Sequence, residues 1–98
     1  MPTNYRRGYL AERKAVKVLE AAGYVVARTA GSHSPFDVVA VGLGGVRLIQ
    51  VKRVKYGGIR AAVEAAKEEL QLVPKLPGIS REIWVWVDGE GWVAQEAV

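Results

Sequence analysis

Apolar and polar residues recur along this chain with two different periods, and the switches between them mark its elements. From Tyr5 to Ala22 the apolar positions Ala15, Val16, Leu19 and Ala22 keep the spacing of one helical face. Asn4 is placed to cap that helix and Gly23 to end it. Tyr24 to Arg28 is short and β-branched, as a strand is, and Thr29 to Pro35 (TAGSHSP) has the composition of a loop. Phe36 to Val41 and Val46 to Val54 read as two strands joined by the turn Gly42-Leu43-Gly44-Gly45. Ile59, Val63, Ala66, Leu70 and Val73 trace a second amphipathic helix, closed by Pro74, Pro77 and Gly78. Ile83 to Val87 is a strand, Asp88 to Gly91 a turn, and Trp92 to Glu96 the last strand. The order α-β-β-β-α-β-β predicts one α/β domain over residues 1–98, a mixed sheet with helices packed on it.

Three polar residues break this pattern. Asp37 lies inside the apolar strand FDVVAV, where aspartate is disfavoured, and Gln50 and Lys52 interrupt VRLIQVKRV. If the glycine turn sets Val41 opposite Val46, the same antiparallel register carries Asp37 across from Gln50. Directly opposed residues share a face, and so do residues two apart on one strand. The three side chains are therefore expected on one patch, an arrangement that a slip of one residue would destroy. Glu12 joins them from the first helix, four residues before Val16 and seven before Leu19, with Gly8 one turn earlier. A carboxylate on such a stripe is either paired or functional.

Composition narrows the possibilities. The chain has 98 residues and no cysteine, which excludes disulfides and thiolate metal sites and suits a reducing, cytoplasmic location. No apolar run approaches the roughly 18 residues of a membrane span, and the basic, polar N-terminus does not read as a secretory signal. Fourteen basic against ten acidic residues give a net charge of +4 and a pI near 9.6. Arg6, Arg7, Arg13, Lys14 and Lys17 crowd the first helix, and Lys52, Arg53 and Lys55 form a second cluster. Such a distribution fits a nucleic-acid-binding face, or simply a solvated surface.

Around a hard cation these residue types make chemical sense. Mg²⁺, or Mn²⁺ in its place, takes oxygen ligands, and Asp37, the Gln50 amide oxygen, the Val51 carbonyl and Glu12 offer them. Lys52 would then stabilise charge developing on a phosphodiester under attack. The alternative is a buried Asp37–Lys52 ion pair with Gln50 as its hydrogen-bond partner.

The stretches RRGYLAERKAVKVLEAAGYVVARTAGS, SPFDVVAV and LIQVKRVK, in this order and spacing, resemble the archaeal-type Holliday junction resolvases of the PD-(D/E)xK nuclease superfamily. The resemblance implies a restriction endonuclease-like fold and a Mg²⁺-dependent endonuclease that works as a homodimer on four-way DNA junctions. It implies Glu12, Asp37, Lys52 and the loop residue Ser32 as functional residues, with Arg7 in a basic arm. The sequence departs from the family at Gln50, where the pattern has glutamate. An amide oxygen still coordinates a metal but brings no charge, so weaker metal binding is expected. A DNA-binding module without useful catalysis, or a nuclease of this fold with another DNA substrate, therefore stay open as alternatives. Arg6, Arg13, His33, Arg53, Lys55, Tyr56 and Arg60 complete the candidate DNA contacts, although His33 also reads as a solvated loop residue. Trp84, Trp86 and Trp92 suit core packing or a subunit interface better than base stacking.

Overall fold

The computed structural model describes residues 4–29, 34–55 and 58–98, with the helical backbone alone between 4 and 8. Its elements are α1 (Asn4–Ala21), β1 (Val25–Arg28), β2 (Val38–Gly42), β3 (Gly45–Val54), α2 (Ile59–Leu70), β4 (Ile79–Val87) and β5 (Gly91–Ala97). The order matches the expected one, and the five strands form one sheet in the order β1-β2-β3-β4-β5. All neighbours are antiparallel except β3 and β4, which run parallel because α2 carries the chain back across the sheet.

The two helices cover opposite faces. Ala11, Ala15 and Leu19 of α1 pack on Val38, Ala40, Ile49, Val51 and Trp84. Val63, Ala66 and Leu70 of α2 pack on Ile83 and Val85. Trp84 lies between those two residues on β4, so strand alternation sends it to the other side. The buried stripe of α1 is thus Ala11-Ala15-Leu19, with Val16 beside it. Ala22, expected on that stripe, is exposed, because the helix has already ended. It ends in a Schellman motif: Gly23 N–H donates to Glu20 O at 3.0 Å and Tyr24 N–H to Leu19 O at 3.1 Å. Gly23 takes φ +97°, which a side chain would resist.

The β2–β3 hairpin is tighter than expected. Gly42 pairs with Gly45, leaving Leu43-Gly44 as a two-residue loop, and the register runs Val41↔Val46 through Val38↔Ile49. A side chain on Gly45 would collide with the Gly78 carbonyl, which accepts the Val46 N–H at 2.7 Å and locks the starts of β3 and β4 together. That junction also explains why β4 begins at Ile79 rather than Ile83. The polar run Ser80-Arg81-Glu82 is strand because Glu82 has a partner on β3. Arg47 donates to it from Nε at 2.6 Å and from a terminal nitrogen at 2.7 Å. Ser80 Oγ and Trp84 Nε1 complete its hydrogen bonds at 2.7 and 3.1 Å. Burial opposes ionisation of Glu82, but these donors outweigh it and hold the carboxyl below its ordinary value.

The tryptophans are core. Trp84 is 2% exposed, and Trp92 meets Trp84 and Trp86 edge to face at 5.3 and 5.1 Å. Lys14 of α1 covers Trp86, its Nζ 4.8 Å from the ring centre. No helix among the described residues is long and apolar enough to cross a membrane.

Candidate active site

Asp37 stands one residue before β2, at the point where the strand leaves its ladder. Its N–H donates to Ile49 O at 2.8 Å, not to Gln50, the partner that simple register continuation assigns. The carboxylate fills the gap: Oδ2 accepts the Val51 N–H at 2.9 Å. This explains why an aspartate is tolerated at the end of an apolar strand, since its side chain supplies an acceptor that backbone would otherwise give. Burial lifts the Asp37 carboxyl from an ordinary 3.8 to about 6. The Val51 N–H and Lys52 pull it down, while Glu12 and Glu69 push it up. Four charged or polar neighbours thus act on one carboxyl from both helices and from β3.

Gln50 and Lys52 share the face of β3 that α2 covers, as their spacing requires. Gln50 is 4% exposed. Its Nε2 donates to Glu69 Oε2 at 2.7 Å, whereas its Oε1 is buried and has no hydrogen-bond partner among the described residues. Lys52 Nζ reaches the other oxygen of Glu69 at 3.4 Å. Lys52 therefore makes its ion pair with α2, and the Asp37–Lys52 pair weighed from the sequence is not formed.

Glu12 approaches from α1 on the opposite face. Arg28, at the end of β1, holds Glu12 Oε1 from Nε at 3.0 Å and from a terminal nitrogen at 2.9 Å. The guanidinium in turn lies 4.3 Å above the centre of the Tyr9 ring. Of the remaining candidates, Arg13 donates to Tyr9 Oη at 3.2 Å, Arg53 pairs with Asp88 at 2.7 Å, and Lys55 and Arg60 are exposed. Ser32, His33 and Tyr56 lie outside the described residues, as do the side chains of Arg6 and Arg7.

Two residues escaped the reading of the sequence. Glu69 belongs to a Glu68-Glu69 pair that looks like solvated helix surface. Its one available signal was its place between Ala66 and Leu70 on the rim of the buried stripe. Arg28 ends a strand next to a loop, a position that carries no pattern.

Among the described residues, no cluster of three or more His, Cys, Asp or Glu is arranged to hold a metal. Carboxylates here alternate with an amide and cations, so any site would depend on Gln50 and on main-chain oxygen as well.

The chain is similar in structure to a Holliday junction resolvase, Hjc, of the hyperthermophilic archaeon Archaeoglobus fulgidus. The TM-score is 0.59 at 22% identity, covering 88% of this chain and 69% of that one. That likeness establishes the fold. A family model for the archaeal Holliday junction resolvases (Hjc) matches residues 3–75, which include α1, the Asp37 turn, the Gln-x-Lys strand and α2. The chain belongs to the archaeal Holliday junction resolvase family.

Proposed function

We propose that this protein is a divalent-metal-dependent, structure-selective DNA endonuclease that acts on four-way junctions as a homodimer. One observation carries the reading: Gln50 presents a buried amide oxygen with no hydrogen-bond partner among the described residues, in the same cluster as Asp37, whose carboxyl is raised to about 6. A buried acceptor left unpaired and a carboxylate whose charge is disfavoured first by burial and then by Glu12 and Glu69 would both be relieved by a cation. These residues fit one. Asp37 and Gln50 would hold it, with the Val51 carbonyl and Glu12 completing the oxygen donors beside bound water.

When bound, Mg²⁺ or Mn²⁺ polarises the scissile phosphodiester and lowers the pKa of an attacking water. Asp37 anchors the site because its orientation is fixed by the Val51 N–H. Lys52 directs its ammonium to the charge that grows on the phosphorane oxygens. Arg28 fixes the Glu12 carboxylate at the edge of the site. Ser32, with His33, Tyr56, Arg6, Arg7, Arg13, Arg53, Lys55 and Arg60, contacts the DNA backbone, which positions a duplex without reading its sequence.

Symmetric cleavage of a junction needs two such sites, and the surface offers a place for a second copy. Val25 and Val41 pair across β1 and β2 on the sheet face that α2 covers only over β3 and β4, and they are 76% and 46% exposed. Exposed apolar positions in contact with one another mark association surfaces.

The test is incubation with labelled four-way junction, duplex and single strand, with Mg²⁺, with Mn²⁺ and with neither. Paired, symmetric, metal-dependent cuts in the junction, abolished by Asp37→Ala, are expected. Junction binding without cleavage in either metal would overturn the proposal and favour a binding module; cutting of plain duplex would favour a nuclease of another substrate.

A further inference from the structure

We propose that Glu69 is the positioning residue of the Gln-x-Lys motif: from α2 its carboxylate orients the Gln50 amide and restrains Lys52, restoring the negative charge that Gln50 lacks. The inference rests on the reading of Asp37 and Gln50 as ligands of a divalent cation.

A glutamine amide is ambiguous as a ligand. Rotation about its last bond exchanges an oxygen that binds cations for an NH₂ that repels them. A carboxylate only accepts hydrogen bonds, so Glu69 selects one of these two states. Its Oε2 takes the Gln50 NH₂ at 2.7 Å, which turns Oε1 away from α2 and leaves it buried without a partner among the described residues. The other oxygen of the same carboxylate takes Lys52 Nζ at 3.4 Å. One side chain can serve both because residues 50 and 52 project from the same face of β3. Glu69 also keeps the ammonium out of an ion pair with Asp37, whose carboxylate stays available to a cation. In effect the acid expected two residues before the lysine is supplied from the helix, acting through the amide.

The experiment is titration calorimetry with Mn²⁺ alone, without DNA, on the wild type, Glu69→Ala, Gln50→Glu and the exchange Gln50→Glu/Glu69→Gln. Residues that orient metal ligands cost 10–100-fold in affinity when removed, so about a tenfold loss is expected for Glu69→Ala. Its thermal midpoint should fall only by what one donor left without its acceptor implies, because position 69 is a half-exposed helix site that alanine suits and water can reach the freed amide. The exchanged pair keeps composition and charge and places a carboxylate on β3 held by an amide on α2. Its Mn²⁺ affinity should return to the wild-type level or above it, which a merely structural role for Glu69 does not require. In parallel, the Gln50 side-chain NH₂ should be protected from hydrogen exchange in the metal-free wild type and lose protection in Glu69→Ala. Equal Mn²⁺ affinity in the wild type and Glu69→Ala overturns the proposal, and so does an unprotected amide in the wild type. A protected amide in a wild type that takes up no Mn²⁺ overturns the metal-site reading itself, and with it the role given to Glu69.

Discussion

Asp37 Oδ2 accepts the Val51 backbone N–H at 2.9 Å, so a side chain stands where the β2–β3 ladder would otherwise place a carbonyl. The same bond fixes the carboxyl in surroundings that disfavour its charge and raise it from 3.8 to about 6. Because the folded protein holds this proton more tightly than the unfolded chain, the contribution of Asp37 to stability is largest below about pH 4. It is lost as pH rises through 6. At pH 7.5 without divalent metal the ionised group therefore works against folding. Asp37→Asn keeps an acceptor for Val51 and removes the charge. It is expected to be more stable than the wild type by about 1–3 kcal/mol at that pH, with the difference shrinking toward pH 5. Thermal unfolding in chelator at both pH values checks this, and a less stable variant at pH 7.5 would contradict it. Adding Mg²⁺ should stabilise the wild type alone.

The buried carboxylate of Glu82 behaves in the opposite sense. Glu82 is 7% exposed and is held below its ordinary value by Arg47, Ser80 and Trp84, so its contribution is present above pH 4.5 and fades as the pH falls through its folded value. Glu82→Ala leaves Arg47 without its counter-ion and two further donors without an acceptor. A loss of about 3 kcal/mol at pH 7 is expected, by denaturant titration, with a smaller difference at pH 3. A penalty unchanged at low pH would show that the ion pair is not its source.

These two acids illustrate what could be read beforehand. Gln50 and Lys52 were legible as neighbours because strand alternation is rigid, and residues two apart on one strand share a face. The order of elements was legible for the same reason. Asp37 was expected directly opposite Gln50 and instead stands where the ladder breaks, its N–H on Ile49 O and its carboxylate on the Val51 N–H. Glu69 and Glu82 were not legible. Each gains its meaning from a partner distant in sequence, Gln50 for one and Arg47 for the other, and nothing within either segment signals it. The four extra residues at the start of β4 were missed with Glu82, since a strand that carries Ser, Arg and Glu looks like a loop until the partner on β3 is known.

Association should respond to the exposed valines. If the β1–β2 strip carries the homodimer, replacing both Val25 and Val41 by lysine is expected to shift the molecular mass in light scattering from dimer to monomer at micromolar concentration. Junction cleavage should then become asymmetric, with one strand nicked. Mn²⁺ affinity should be unchanged, since Asp37 and Gln50 do not depend on that strip. A dimer that survives both substitutions places the interface elsewhere.

Gln50→Glu separates the folding cost of the site from its metal chemistry. In the metal-free protein the substitution sets two carboxylates where Gln50 Nε2 and Glu69 Oε2 now meet at 2.7 Å. It also removes the donor that joined them. Mutual repulsion in a buried setting is expected to lower stability by about 1–3 kcal/mol, or to make one of the two acids hold a proton at neutral pH. The added charge should at the same time strengthen Mg²⁺ and Mn²⁺ binding, since charged oxygen ligands hold hard cations better than an amide does. The metal-induced rise in thermal midpoint should therefore be larger in Gln50→Glu than in the wild type, although the variant starts lower. A binding advantage without the metal-free penalty would mean that Glu69 has moved away. A penalty without the advantage would mean that position 50 does not reach the metal.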